Sequence, residues 1–158
     1  MHLTRDDGLF ISDDPALVDA GRFATWIAEE SWWGAGRPRE IILRSLEESH
    51  VYGVYADDET QVAVARVVTD HATFAYLCDV FVDTGYRGKG IGTWLTRCIV
   101  DDMRTRGINR FLLATTDAHE VYRRAGFTPV ARPSAWMEID DRPTKPGPGP
   151  ADPGGPVA

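Results

Sequence analysis

The sequence predicts an α/β (α+β) fold: a mixed, mostly antiparallel sheet of six to seven strands with helices on both faces. Three observations carry this. Val51–Tyr55 and Val62–Val68 are β-prone runs joined by the turn Asp57-Asp58-Glu59, a hairpin pattern. A third β-prone run, Phe74–Val82, leads through a glycine-rich turn into a segment with apolar residues at 91, 94, 95, 98, 99 and 103, the spacing of a half-buried helix. The elements then follow the order β, helices, β-β-β, α, β, α, β-β, in which sheet and helix must cover one another.

Taken in order, Leu9-Phe10-Ile11 reads as a short first strand. Asp14-Pro15 supplies an N-cap with proline at the first helical position, and Val18, Trp26 and Ile27 mark that helix's apolar face. The stretch from Ser31 to Pro38, with Gly34 and Gly36, breaks the helix, and a second short one is expected over Arg39–Leu46. Gly107 ends the long helix as a C′ residue. Phe111–Ala114 reads as a buried strand. Asp117 and Glu120 have the spacing of a capping box before a short helix carrying Val121 and Tyr122, which Gly126 stops. Val130 and Trp136–Ile139 suggest two final strands. Residues 143–158, dominated by Pro and Gly, hold too few apolar side chains to offset their ordering entropy and are expected to be a disordered tail, so the domain spans 1–142.

Composition narrows the function classes. The chain has 158 residues, 43% hydrophobic and 26% charged, enough for one domain with one substantial core. No apolar run approaches the ~20 residues of a membrane span, and the polar start Met1–Asp7 lacks a secretory core. Cys78, in a predicted strand, and Cys98, on the long helix's apolar stripe, read as two buried reduced thiols; a cytoplasmic location is the expectation. The net charge of −7 argues against nucleic acid as a main partner and is compatible with cationic small substrates. The histidines, His2, His50, His71 and His119, show no metal-ligand spacing, and no metal is expected.

The run Tyr86-Arg87-Gly88-Lys89-Gly90-Ile91-Gly92-Thr93 holds the strongest functional signal. Glycines at alternate positions remove the side chains that would keep a ligand from the backbone. Their amides, with the free N–H groups of the helix start, form a cradle for phosphate oxygens. A P-loop would need glycine at position 83 and Ser or Thr at 90, where Asp83 and Gly90 stand; a dinucleotide fingerprint needs a different glycine spacing. An anion at a helix N-terminus gains ~0.3–1 kcal/mol, up to ~2 when partly buried. A micromolar ligand needs ~8 kcal/mol, so further contacts are required.

Arg87-x-x-Gly90-x-Gly92 after a strand, with Tyr122-x-x-x-Gly126-Phe127 downstream, resembles the GNAT acetyltransferase superfamily. The resemblance implies a GNAT fold with a splayed central strand pair, acetyl-CoA as co-substrate and N-acetyl transfer to a primary amine. It implies that Arg87 to Thr93 (Gly88, Lys89, Ile91 and Gly92 included) hold the pyrophosphate and that Val80-Phe81-Val82 pair with the pantetheine arm and polarise the thioester carbonyl. It puts Thr115 on the second splayed branch, where asparagine is common, and Tyr122 near the cofactor sulfur as general acid. A phenol at ~10 cannot easily protonate a thiolate at ~8.5, so hydrogen-bond donation describes Tyr122 better.

Asp79 interrupts an apolar strand, and strand alternation points it away from Cys78 and Val80. The resemblance suggests that it faces the amine. A close carboxylate would favour the unreactive ammonium form, so an action through water is the more reasonable role. Trp32 and Trp33 fall where the family lines its acceptor pocket; Tyr52, Arg66 and Trp136 are weaker candidates. The expected reaction is direct transfer in a ternary complex, without a covalent acetyl-enzyme, to a small amine. A protein lysine or N-terminal acceptor, or a non-catalytic acyl-CoA sensor, are the alternatives. The family resemblance also leaves room for a homodimer through terminal strands.

Overall fold

The computed structural model describes residues 1–142, so the expected tail lies outside the described residues. Six strands form one sheet in sequential order: β1 (His2–Thr4), β2 (Phe10–Ser12), β3 (His50–Tyr55), β4 (Gln61–Thr69), β5 (Ala75–Val82) and β6 (Phe111–Leu112). All neighbours are antiparallel except β5 and β6, which run parallel across a helical crossover. The exposed, polar β1 carries no apolar pattern, which is why sequence reading missed it.

The helices divide between the faces. On one lie α1 (Ala20–Thr25), continued by a π turn over Trp26–Glu30, and α2 (Arg39–Glu47). Phe23, Trp26, Ile27, Ile42 and Leu46 pack there on Val64 and Phe81, with Trp26 and Phe81 stacked at 5.2 Å. On the other lies α3 (Ile91–Thr105), whose Ile91, Leu95, Ile99 and Met103 cover Val54, Val67, Leu77 and Val82. No helix among the described residues is long and apolar enough to cross a membrane.

Three expectations need correction. Asp14 caps only a 3-10 turn, Pro15–Leu17; α1 starts later, with Asp19 accepting from the Arg22 amide at 2.8 Å. Asp117 is not an N-cap: α4 (His119–Arg124) begins one residue later, behind Ala118, and Glu120 bonds Arg123 and Arg124 instead of the backbone. The two final strands are absent from the described residues. Strand β6 is only two residues long and offers no ladder, so Trp136, Met137 and Ile139 stand 44%, 97% and 92% exposed.

Beneath α3 and the sheet, Tyr52 donates to Asp102 at 2.6 Å and is fully buried, far from a pocket role. Arg106 bridges Asp102 and Asp13 at 2.9 and 2.8 Å, and His50 Nε2 lies 3.1 Å from Asp13. The fold thus gathers Asp13, His50 and Asp102 ligand atoms within 4.8 Å, but Arg106 bridges both carboxylates and the Met1 ammonium pairs with Asp13, so two cations already balance the two anions. Burial holds the His50 imidazole below its ordinary value, aided by Arg106 and opposed by Asp13. The unfolded chain therefore binds more protons in that window, and stability falls as pH drops through ~6.5. His50→Asn should remove that part of the melting-temperature loss and keep the more acidic part contributed by Asp13, whose pKa is also lowered.

Candidate active site

A β-bulge and a strand divergence create the site. Val64 pairs with Phe81 and Arg66 with Cys78, so β5 carries one extra residue between those pairs. Asp79 occupies it with φ +47°, a left-handed backbone that Asp tolerates better than most residues. The bulge breaks strand alternation. Asp79 does not face away from Cys78 and Val80, as alternation predicted; all three line one cavity. On the other edge, β5 pairs with β6 only through Ala75–Phe111 and Tyr76–Leu112. From Leu77 to Val82 it has no strand partner on that side among the described residues, which leaves a cleft beside Val80, Phe81 and Val82.

The glycine turn closes one end of the cleft. Gly88 and Gly90 have φ +75° and +72°, and nothing stands within 4 Å of where a Cβ would project. The amides from Gly88 through Lys89, Gly90, Ile91 and Gly92 to Thr93 meet no acceptor among the described residues; the first helical bond is Trp94 N–H to the Gly90 carbonyl at 3.0 Å. Six consecutive donors at the positive end of a 15-residue helix suit a diphosphate. Arg87 ties the turn to β5: its Nε donates to the Val82 carbonyl at 3.1 Å while its guanidinium lies over the Phe81 ring. Arg5 donates to the Lys89 carbonyl at 3.2 Å, and the Lys89 ammonium sits over the Tyr86 ring.

The cavity of about 730 Å³ lies between the π-turn loop and the diverging strand ends. That size is typical of small-molecule sites. Trp32, Trp33, Arg37 and Arg66 line one side, Thr115, Asp117 and Tyr122 the other. Trp32 donates its indole N–H to Asp117 at 2.9 Å, joining the two sides. Trp33 meets Trp32 edge-to-face at 6.0 Å and also reaches Phe81 in the core.

Asp79 is only 7% exposed, and one carboxylate oxygen, Oδ2, accepts from two guanidiniums: Arg66 at 2.8 Å and Arg37 at 3.0 Å. Arg66 is committed elsewhere too, donating to the Ser45 carbonyl and Ser49 Oγ. Asp117 and the Asp140–Arg142 ion pair also line the cavity, so its three arginines, Arg37, Arg66 and Arg142, stand against three carboxylates, Asp79, Asp117 and Asp140.

Tyr122 packs against the core with its ring edge-to-face to Phe127 at 6.1 Å. Burial pushes its phenol well above the ordinary value, with Asp117 adding to the rise. It holds its proton at any working pH. Thr115 accepts from the Ala118 amide at 3.0 Å, holding the start of α4 against the cavity. Cys78 is half-buried rather than buried, because it opens onto the cavity; burial still pushes its thiol up to about 11. Cys98 is buried. Trp136 does not line the cavity but lies under the Arg110 guanidinium.

Sequence reading missed Arg37 and Asp117 as site residues. Arg37 hides in the stretch that reads only as a helix breaker, and Asp117 reads as a cap. Neither carries a motif; the bulge at Asp79 gives Arg37 its role.

The Acetyltransferase (GNAT) family model matches residues 20–127. A crystal structure of a GNAT-family protein from Xanthomonas campestris pv. campestris superposes with a TM-score of 0.76 at 38% identity, covering 84% of this chain and 92% of that one. A Gibberella zeae protein described as an acetyltransferase, FG08082, is 26% identical over 138 residues, 75% of this chain and 77% of its own. A Clostridium acetobutylicum structure, 14% identical with a TM-score of 0.63 over 84% of this chain and 94% of that one, shares the fold; that protein was crystallised with acetyl-CoA.

Proposed function

This chain belongs to the GNAT family of acetyltransferases, and from that we propose that it transfers an acetyl group from acetyl-CoA to a primary amine of a small-molecule acceptor. The observation that carries the reading is the run of amides from Gly88 to Thr93 that meet no acceptor among the described residues, set just beyond β5, whose Leu77–Val80 stretch lines the cavity together with Tyr122.

Transfer forms one N–C bond and breaks one C–S bond; the amine loses a proton and the thiolate leaves. The Gly88–Thr93 amides bind the diphosphate, with Arg87 fixing the turn. The edge of β5 that faces the cleft at Val80, Phe81 and Val82 takes the pantetheine amides and polarises the carbonyl, with Thr115 on the facing branch, although Phe81 pairs with Val64 on its other side and the Val82 carbonyl already accepts from Arg87. Tyr122 keeps its proton and donates a hydrogen bond to the sulfur as charge develops. Asp79 Oδ1, which accepts nothing among the described residues, is open to the incoming amine or to a water beside it. The two guanidiniums on Oδ2 weaken the pull that the Asp79 carboxylate exerts towards the ammonium form. Trp32 and Trp33 bound the acceptor side, and a cavity of about 730 Å³ has the size of a small-molecule site. A Cys78 thiol near 11 supplies little thiolate, which supports direct transfer over an acetylated cysteine.

Thiol release from acetyl-CoA across a mixed amine panel tests the reading. Coenzyme A binding without thiol release for any amine would select the sensor alternative. Gly90→Ala probes the cradle. In the free protein the turn can relax out of the left-handed region, and binding must then restore it at ~1–2 kcal/mol. The coenzyme A dissociation constant should rise roughly 5- to 30-fold by calorimetry, with little change in melting temperature.

A further inference from the structure

We infer that the acceptor is an amino acid, its amine placed at Asp79 and its carboxylate a few bonds away held by Arg37. This rests on the acetyltransferase reading above and adds the chemical class of its acceptor.

The argument starts from the unequal commitment of the two arginines. Arg66 is 8% exposed and spends its donors on Asp79, the Ser45 carbonyl and Ser49. Its place is structural: it secures the bulge to α2. Arg37 lines the same cavity with its side chain 25% exposed, and among the described residues only its Nη1 donates, to Asp79. A guanidinium has five N–H donors in a rigid fork that matches a carboxylate with two parallel bonds. Arg37 can therefore keep its bond to Asp79 and still present a donor edge to the cavity.

Asp79 mirrors this. Its Oδ2 carries both guanidiniums, whereas Oδ1 has no donor among the described residues. The cavity thus offers a free anionic acceptor and a free cationic fork on directly bonded neighbours 3.0 Å apart. An amine alone would satisfy only the first. A molecule bearing an amine next to a carboxylate satisfies both. Lysine side chains and protein N-termini lack that adjacent carboxylate. The overall charge of −7, which suggested cationic substrates, does not describe this cavity, whose lining holds as many arginines as aspartates.

The test uses the full chain, saturating acetyl-CoA and thiol release. Free α- and β-amino acids are compared with their own carboxamides and with simple alkylamines. At least one amino acid should exceed its carboxamide by tenfold or more in kcat/KM, mostly through KM. The carboxamide's amine is the weaker base and so more often neutral, a bias against this outcome. Arg37→Gln should bring the acid-to-amide ratio towards one, and Arg37→Lys should keep part of it. Carboxamides or alkylamines turned over as well as the acids, or a ratio unchanged in Arg37→Gln, would overturn the inference while leaving the acetyltransferase reading intact. Coenzyme A binding with no thiol release from any amine would overturn both. The comparison of acids with amides in the parent protein stands even if a variant fails to fold.

Discussion

Tyr122→Phe is expected to lower kcat by ~10²–10³-fold, the range seen when one donor to a developing charge is removed. The KM for acetyl-CoA should stay near the parent value, because the diphosphate cradle at Gly88–Thr93 is untouched. The phenylalanine ring still fills the space beside Phe127, so stability should change little. The pH dependence separates donor from acid. Burial raises the phenol above its ordinary ~10, so Tyr122 stays protonated and available as a donor through that pH. The parent's activity should therefore show no alkaline loss from this group below ~10. The acidic limb should reflect protonation of the acceptor amine and persist in the variant. Steady-state kinetics from pH 6 to 10 check both points, and a variant with kcat near the parent's would remove Tyr122 from the chemistry.

The parts of the fold legible in the sequence are those whose signal is local. Helix α3 announces itself by the spacing Ile91, Leu95, Ile99, Met103 and by the glycines before it, because one face packs on the sheet and the other meets water. The β3–β4 hairpin is legible for the same reason. Features set by pairing between distant residues are not. The bulge at Asp79 exists because β4 and β5 differ by one residue between two pairs, and nothing in the local sequence marks that slip. Its consequence was large: the side chain expected to point away from Cys78 shares a cavity with it. Asp117 carries a cap-like spacing, yet its carboxylate takes the Trp32 indole from 85 residues away. Val130 and Trp136–Ile139 have strand composition, but composition alone forms no strand without a ladder beside it.

The candidate site divides the same way. The Gly88–Thr93 turn is legible because a backbone cradle needs glycines at close spacing, whereas Tyr122 stands out only through the family resemblance. The acceptor wall was half readable. Trp32 and Trp33 stood out by their size, whereas Arg37 is one arginine in a loop rich in glycine, and only folding brings it to Asp79. Cofactor-side groups must meet an invariant ligand and leave a pattern. Acceptor-side groups meet a particular molecule and need leave none.

Gly34→Ala should produce the largest loss of stability of any single methyl added to this loop. A Cβ there would stand 2.2 Å from the Ile27 carbonyl oxygen, 2.5 Å from Ile27 Cγ2 and 2.6 Å from Ser31 Oγ. The first contact is with backbone, so no side-chain rotation relieves it. Ser31, 2% exposed, clamps this turn: it donates to the Ile27 carbonyl at 2.7 Å and accepts from the Gly34 amide at 3.0 Å. The added methyl must break that clamp or move the π turn off Phe81. Overpacking of this kind costs about 3 kcal/mol, the upper part of its usual range. For a chain of this size that lowers the melting temperature by roughly 6–12 °C. Ser31→Ala, which loses two hydrogen bonds but adds no clash, should lower it by less, at ~1 kcal/mol per bond. Trp32, Trp33 and Arg37 all leave from this turn, so the acceptor KM should rise in Gly34→Ala. Coenzyme A affinity, which the proposed cradle before α3 would carry, should not change. Calorimetric melting and coenzyme A titration of the same sample separate the two effects, and a melting temperature equal to the parent's would contradict the packing of this loop.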